Sequence, residues 1–221
     1  PVYNAKNIVI YTTNYDACIE DAWQQTQFKV LNNGFRPEQE RSPVHILDTT
    51  LLDEGSIPET ARLIKLHGSL NWRWDEERRR IIQVPPEHSG TTYHGIRLEE
   101  ELALYPLRQK DMYLYPWLDF IVTLKKDLAE ASQWIFIGYS FNDEFIRNIL
   151  EEIAREHNQR IIYIDKNATK NVNAKRALMR ELCTKTLPID TEFEGPTIND
   201  DICDFLRNEK TIDYFVECTS D

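Results

Sequence analysis

The sequence predicts an α/β fold, in which a parallel sheet is covered by helices on both faces. Short apolar runs, each about the length of a buried strand, alternate with longer segments whose apolar residues recur at helical spacing. Strands joined through helices pair in parallel, so this alternation indicates a Rossmann-like sheet. The predicted strands are residues 8–11, 63–66, 134–137, 161–164 and 185–189. The predicted helices are residues 16–31, 117–131, 143–157 and 174–183.

The domain boundaries follow from where this alternation stops. Residues 73–105 contain the charged run "EERRR" and the stretch "VPPEHSGTTYHG", and they show little periodicity. We therefore predict that this segment is an irregular insertion. Residues 1–195 are expected to form one domain, and residues 196–221 to add a C-terminal helix and a tail that pack on the same domain.

The composition limits the classes of function. The chain has 26 Lys and Arg against 37 Asp and Glu, a net charge of −11, whereas nucleic-acid backbones bind clustered positive surfaces. We therefore expect no direct nucleic-acid binding. No apolar run approaches the roughly 20 residues needed to cross a bilayer, and the first residues do not resemble a signal peptide, so we expect a cytoplasmic protein without membrane contact. Neither a zinc site nor a disulfide framework is predicted from four widely spaced cysteines. These are Cys18, Cys183, Cys203 and Cys218.

Polar side chains directly follow four of the predicted strands. The stretch "TTNYD" follows the first strand, "HGSLNW" the second, "GYSFND" the third and "DKN" the fourth. In open α/β sheets, ligands bind outside the carboxyl ends of the strands. We therefore expect these four segments to line one crevice.

Each segment also has a purely structural interpretation. Asn14 and Asp16 can cap the predicted helix that begins at residue 16. His67 can be a hydrogen-bonded histidine of the core. Ser140 can cap the following helix, with an acidic residue three positions later completing a capping box, and Asp165 can be a turn residue.

Taken in this order, "TTNYD", "KLHGSLNW" and "FIGYSFND" resemble motifs of the sirtuin-like (silent information regulator) superfamily over about residues 7–190. The closer likeness is to bacterial sirtuin-like domains that hydrolyse NAD in phage defence. The protein-deacylating sirtuins have Gln-Asn-Ile-Asp, His-Gly and Gly-Thr-Ser where this chain has Thr-Asn-Tyr-Asp, His-Gly-Ser and Gly-Tyr-Ser. The deacylases also carry a four-cysteine zinc module, for which this chain lacks the cysteine pairs.

The resemblance implies an NAD⁺ glycohydrolase that takes NAD as its substrate, needs no metal, and depletes NAD in antiviral defence. It implies that Asn14 and Asp16 hold the nicotinamide amide and its ribose, and that His67 is the catalytic histidine. A neutral imidazole can act as a general base toward water, and a carboxylate can offset positive charge on the sugar. The residues implied in NAD binding are Thr12, Thr13, Gly68, Gly138, Tyr139, Ser140 and Asp165.

One motif of the family has no counterpart in this sequence. The family binds the pyrophosphate with a Gly-Ala-Gly-x-Ser type loop, but none of the seven glycines precedes Gly34. We therefore expect the first Gly-rich strand-turn to be absent from the N-terminus of this sequence. Either that element lies upstream of Pro1 or the protein does without it. In the first case, "TTNYD" is the second element of the site.

Two other functions stay open beside NAD hydrolysis. The same chemistry serves protein deacylation and ADP-ribosyl transfer, and a non-catalytic domain can use the crevice to sense ADP-ribose or a related nucleotide. A defence NADase that was always active would kill its own cell, so the resemblance also implies a switch. We expect this switch to be a homo-oligomer, an additional regulatory domain or a partner protein.

Overall fold

The computed structural model describes residues 8–24, 30–52, 60–85, 87–103, 115–175, 182 and 186–190. The chain divides into two compact units, Pro1–Glu130 and Ala131–Asp221. Each unit contains a parallel sheet flanked by helices, so the predicted α/β, Rossmann-like class is confirmed. That residues 1–195 form one domain stays a prediction, and the predicted C-terminal helix and tail (196–221) lie outside the described residues.

In its described part, the first unit combines short strands with two helices. Its strands are β1 (Ile8–Thr12), β2 (Val30–Asn32), β3 (Phe35–Pro37), β4 (His45–Leu47), β5 (Thr60–Lys65), β6 (Gly68–Asp75), β7 (Arg80–Gln83), β8 (Thr92–Tyr93) and β9 (Ile96–Ala103). Its helices are α1 (Cys18–Trp23) and α2 (Trp117–Glu130), and a 3₁₀ turn covers Thr49–Leu52.

The parallel sheet of the first unit has β5 between β1 and β2. Thr12 pairs with Lys65, so the carboxyl ends of β1 and β5 are neighbours, and the first two predicted strands are confirmed. The predicted helix over residues 16–31 is wrong at its C-terminal end, because Val30 and Leu31 belong to β2 and pair with β5. Pairing with a buried central strand outweighs the helical spacing of these two residues.

Residues 73–105, predicted to be an irregular insertion, instead supply strands of an antiparallel sheet. Among the described residues this sheet has the strand order β3-β4-β7-β6-β9-β8. β6 and β7 form a hairpin in which Trp74 pairs with Ile81 and Asp75 with Arg80. Most of the run "EERRR" forms the exposed turn of this hairpin, and the charges conceal the alternation of the flanking strands. A buried cluster of this sheet consists of Val44, Ile82, Val84 and Leu98.

The second unit also has a parallel sheet in its described part. Its strands are β10 (Gln133–Ile137), β11 (Arg160–Asp165) and β12 (Thr186–Asp190), with β11 in the middle. Its helices are α3 (Glu144–Glu156) and α4 (Ala168–Lys175). The three predicted strands and the helix predicted from residue 143 are confirmed. A two-residue turn after β11 starts α4 at Ala168, six residues before the start of the helix predicted over residues 174–183, and most of that predicted span lies outside the described residues. None of the described helices is long and apolar enough to cross a membrane.

Helix α2 is tied to both sheets of the first unit. Asp127 accepts hydrogen bonds from Arg62 of β5 at 2.7 Å and from the Tyr11 hydroxyl of β1 at 2.5 Å. At the other end of α2, the ring of Trp117 lies 6.3 Å from the ring of Trp72 in β6. Asp127 thus joins the two paired strands β1 and β5 to helix α2, and the candidate site begins where those two strands end.

Candidate active site

Backbone hydrogen bonds join the carboxyl ends of β1 and β5. The Leu66 N–H donates to the Thr12 carbonyl at 2.9 Å, and the Leu70 N–H donates to the Tyr15 carbonyl at 3.1 Å. These bonds hold residues 13–17, called the Asn-Asp loop below, against the turn between β5 and β6. The first two predicted strand ends therefore meet, as the parallel register requires.

His67 lies in that turn, and only 4% of its surface is exposed. The next residue, Gly68, has a φ of +81°, a left-handed conformation that glycine adopts without steric cost. The ring centroid of Tyr15 in the Asn-Asp loop lies 6.2 Å from that of His67. Burial is compatible with a core histidine and with a catalytic base, and the contact with Tyr15 places the imidazole beside the loop that carries the other candidate residues.

Asn14 and Asp16 are exposed on the Asn-Asp loop. The backbone N–H of Asn14 donates to Thr12 Oγ1 at 3.0 Å, so this threonine hydroxyl shapes the turn after β1. Asp16 Oδ1 accepts from the backbone N–H of Cys18, the first residue of α1, at 3.0 Å. Asp16 therefore starts the helix through an Asx turn, whereas Ala17 at the N-cap position makes no side-chain cap.

The same contact controls the charge of Asp16. The Cys18 N–H, and next the Cys18 thiol, hold the pKa of the Asp16 carboxyl below its ordinary value of 3.8, and the ammonium of Lys65 adds to this effect. Asp16 is therefore ionised at neutral pH, and the loop presents a negative charge to solvent.

Wild-type protein is expected to be more stable than an Asp16→Asn variant at neutral pH, and this difference is expected to vanish in acid. Because the folded pKa lies below 3.8, the carboxylate contributes stability above that pH and loses its contribution as the pH falls through the folded pKa. The difference should stay below about 1 kcal/mol, since the carboxylate is exposed. Urea unfolding from neutral pH down to about pH 2 measures it.

The control for this experiment is Asp21→Asn, which removes an exposed carboxylate from α1 without touching the Cys18 contact. It should not reproduce the pH-dependent difference. A stability difference for Asp16→Asn that stays constant from neutral pH to acid would contradict the assignment.

Three residues that the sequence analysis did not select also connect β5 and β6 to the Asn-Asp loop and helix α1. They are Lys65, Ser69 and Glu20. A lysine inside the otherwise apolar run "LIKL" was the available signal, because a charged residue in a buried strand needs partners. Two of its partners, Asp16 and Glu20, lie far away along the chain.

In the second unit, the segment after β10 forms a tight turn. The Gly138 N–H donates to the Ile164 carbonyl at 2.9 Å, and Gly138 has a φ of +60°. Ser140 is exposed and does not cap α3. The N-cap is Asp143, whose side chain accepts from the Ile146 N–H at 3.0 Å. Asp143 directly precedes the first helical residue, the position from which a side chain reaches the free N–H groups of the first turn.

Tyr139 packs among aromatic rings of the second unit. Its ring centroid lies 4.8 Å from that of Phe141 and 6.1 Å from that of Phe136. Burial raises the pKa of the Tyr139 phenol, and the carboxylate of Asp143 raises it further. The phenol therefore stays protonated at physiological pH and is available as a hydrogen-bond donor.

Asp165 is engaged at the end of β11. Its Oδ1 accepts from the Asn167 N–H at 2.9 Å and from the side-chain amide of Asn171 at 3.1 Å. The turn interpretation of Asp165 is therefore confirmed. A role for Asp165 in ribose binding stays a prediction.

The quoted motifs of both units fall within one matched region. A family model for the SIR2-like domain matches residues 8–187. This chain belongs to the SIR2-like family. The sirtuin-like resemblance of the sequence is thereby confirmed, whereas a comparison with curated proteins found no match. SIR2-like domains use NAD as a substrate, so membership implies NAD-related chemistry.

The predicted site residues of this SIR2-like domain fall into two groups. In the first unit, the Asn-Asp loop, including the half-buried Thr13, meets the turn of His67. In the second unit, the Gly138 turn and Asp165 stand at the ends of neighbouring strands. That both groups line one crevice stays a prediction. Among the described residues, no three His, Cys, Asp or Glu side chains are grouped so that they could hold a metal ion.

Proposed function

We propose that this SIR2-like domain is an NAD⁺ glycohydrolase. NAD⁺ and water would react to give ADP-ribose, nicotinamide and a proton, through cleavage of the bond between nicotinamide and ribose. The observation that carries the proposal is the contact between the Asn-Asp loop and the turn of His67. It brings an amide, a carboxylate and an imidazole to neighbouring strand ends, where ligands of α/β sheets bind.

His67 is proposed as the general base. Cleavage leaves positive charge on the ribose, and a water molecule must lose a proton as it attacks the sugar. An imidazole nitrogen can accept that proton, and such assistance is typically worth about 10²–10⁴-fold in rate. The position of the His67 ring beside Tyr15 of the Asn-Asp loop supports this role, because it places the imidazole next to the residues proposed to bind the substrate.

Asn14 and Asp16 are proposed to position the reacting half of NAD. Both side chains are exposed on the Asn-Asp loop and are therefore accessible to a ligand. The ionised carboxylate of Asp16 can bind ribose hydroxyls and offset the positive charge that develops on the sugar. The amide of Asn14 can both donate and accept hydrogen bonds, which suits it to orient the carboxamide or the attacking water.

The second unit is proposed to bind the nucleotide half. The exposed Ser140 and the backbone of the Gly138 turn offer donors to phosphate or ribose oxygens. Tyr139, whose phenol stays protonated, is a further donor. Asp165 already accepts two hydrogen bonds through Oδ1, and its carboxylate is proposed to accept from the adenosine ribose as well.

The proposed biological role is NAD depletion in antiviral defence, within the cytoplasm and under the control of an oligomer, a further domain or a partner protein. It rests on the likeness of "KLHGSLNW" and "FIGYSFND" to the NAD-hydrolysing sirtuin-like domains. A loss of cellular NAD when the protein is expressed would support this role, provided that a His67→Asn variant causes no such loss.

Incubation of the purified protein with NAD⁺ is the direct test of the activity. We expect nicotinamide and ADP-ribose to appear in equal amounts, measured by chromatography, without any acyl-lysine peptide. Release that begins only after an acetylated peptide is added would indicate deacylation instead. Saturable binding of ADP-ribose without any turnover of NAD⁺ would contradict hydrolysis and favour a sensor.

A further inference from the structure

The last residue of β5, Lys65, is a buried cation. Only 3% of its surface is exposed, and it lies between the buried Ile64 and Leu66. Removing an ammonium group from water is costly unless it is paired and hydrogen-bonded. The contacts of Lys65 therefore show what this position is built to hold.

The Lys65 ammonium has partners on three different segments. It forms an ion pair with Glu20 Oε1 of α1 at 2.9 Å, and it donates to Ser69 Oγ of β6 at 2.9 Å and to the backbone carbonyl of Asp16. Three partners match the three donors of an ammonium group. The Ser69 hydroxyl in turn donates to the carbonyl of Tyr15 at 2.9 Å.

These contacts fix two consecutive carbonyls of the Asn-Asp loop. Lys65 holds the carbonyl of Asp16 directly, and it holds that of Tyr15 through Ser69. The ion pair with Glu20 adds the helix that follows the loop. The loop is thus attached to the two residues that flank the turn of His67 in sequence, Lys65 before it and Ser69 after it.

We propose that Lys65 is a positioning residue, which fixes the Asn-Asp loop relative to His67 and so keeps the candidate site assembled. It does not itself contact the reacting atoms. The catalytic consequence rests on the proposed NAD hydrolysis, whereas the positioning of the loop does not depend on it. The experiment therefore needs one readout of loop order and one of turnover.

Loop order is measured by amide hydrogen exchange, with fragmentation that resolves single amides. In a Lys65→Met variant, we expect the amides of Cys18 and Leu70, which bond to the loop, to exchange about tenfold faster or more. The Val84 amide, bonded to Asn71 in the antiparallel sheet, should not change. The matched control Lys126→Met removes an exposed lysine from α2 and should leave all three amides unchanged.

Measurements of NAD⁺ turnover distinguish a positioning role of Lys65 from a contribution to stability alone. Lys65→Met leaves the carboxylate of Glu20, whose side chain is only 17% exposed, without its cation. This destabilises the protein, and the double variant Glu20→Gln/Lys65→Met removes that unpaired charge. We expect the double variant to recover the urea midpoint toward that of wild type. Its kcat for nicotinamide release should stay about tenfold or more below wild type, with KM within about threefold, because the loop carbonyls still lack their donor.

The outcomes are distinguishable. Unchanged exchange at Cys18 and Leu70 in Lys65→Met would overturn the positioning role. Recovery of kcat together with stability in the double variant would overturn it too, since Lys65 would then act on stability alone. Faster exchange in a protein whose wild type releases no nicotinamide would support the positioning role and refute the proposed hydrolysis.

Discussion

A His67→Asn variant is expected to release nicotinamide from NAD⁺ about 10²–10⁴ times more slowly than wild type, the usual contribution of a general base. The substitution removes the imidazole that is proposed to take the proton from the attacking water. The loss should appear in kcat, because the amide and carboxylate of the Asn-Asp loop remain to bind the substrate. Steady-state measurement of nicotinamide at saturating NAD⁺ gives the number directly.

His94→Asn is the matched control for this experiment. His94 is exposed in the turn between β8 and β9 and has a φ of +46°, a conformation that asparagine tolerates well. The control should keep wild-type turnover. Equal urea midpoints for His67→Asn and wild type would exclude unfolding as the cause of a loss, and near-normal turnover by His67→Asn would remove the residue from the mechanism.

An Asp127→Ala variant is expected to lower the free energy of unfolding by about 2–4 kcal/mol. The substitution leaves the guanidinium of Arg62, which is only 20% exposed, without its carboxylate partner. It also removes an acceptor of the Tyr11 hydroxyl. Breaking one side of a largely buried pair leaves an uncompensated charge, which costs more than the pair itself contributes. The residual exposure of both partners places the expected loss at the lower part of the range for buried pairs.

Urea unfolding followed by circular dichroism measures this loss. The control is Glu130→Ala at the exposed end of α2, which should change stability by no more than about 0.5 kcal/mol. The double variant Arg62→Ala/Asp127→Ala should lose less than the sum of the two single variants, because neither charge is then left alone. If the losses of unfolding free energy were additive, the interaction between Arg62 and Asp127 would contribute nothing to stability.

Elements set by short-range patterns were predictable. The apolar strands with their polar ends, and the amphipathic helix from residue 143, were found where they were expected. Parallel pairing of β1 with β5 follows from strands joined by a crossover, and it brings "TTNYD" and "HGSLNW" together. The motifs of the family therefore lie where the alternation of strands and helices predicts them.

Other features depend on partners that the local sequence does not contain. Val30 and Leu31 fit the periodicity of a helix but form a strand, because β5 offers them a buried edge. Asp143 caps α3 in place of Ser140, since the exact start of a helix depends on backbone geometry. The hairpin of β6 and β7 was hidden by a charged turn whose side chains face solvent.

The chain's own pattern was sufficient to identify the fold class and the family, because strand alternation and motif order are encoded between near neighbours. The tertiary structure alone decided how the Asn-Asp loop is held. Lys65 and Glu20 are 45 positions apart, yet their charged groups lie 2.9 Å from each other. A buried ammonium must find its acceptors wherever folding places them, so its partners are defined by the packing of β5, β6 and α1.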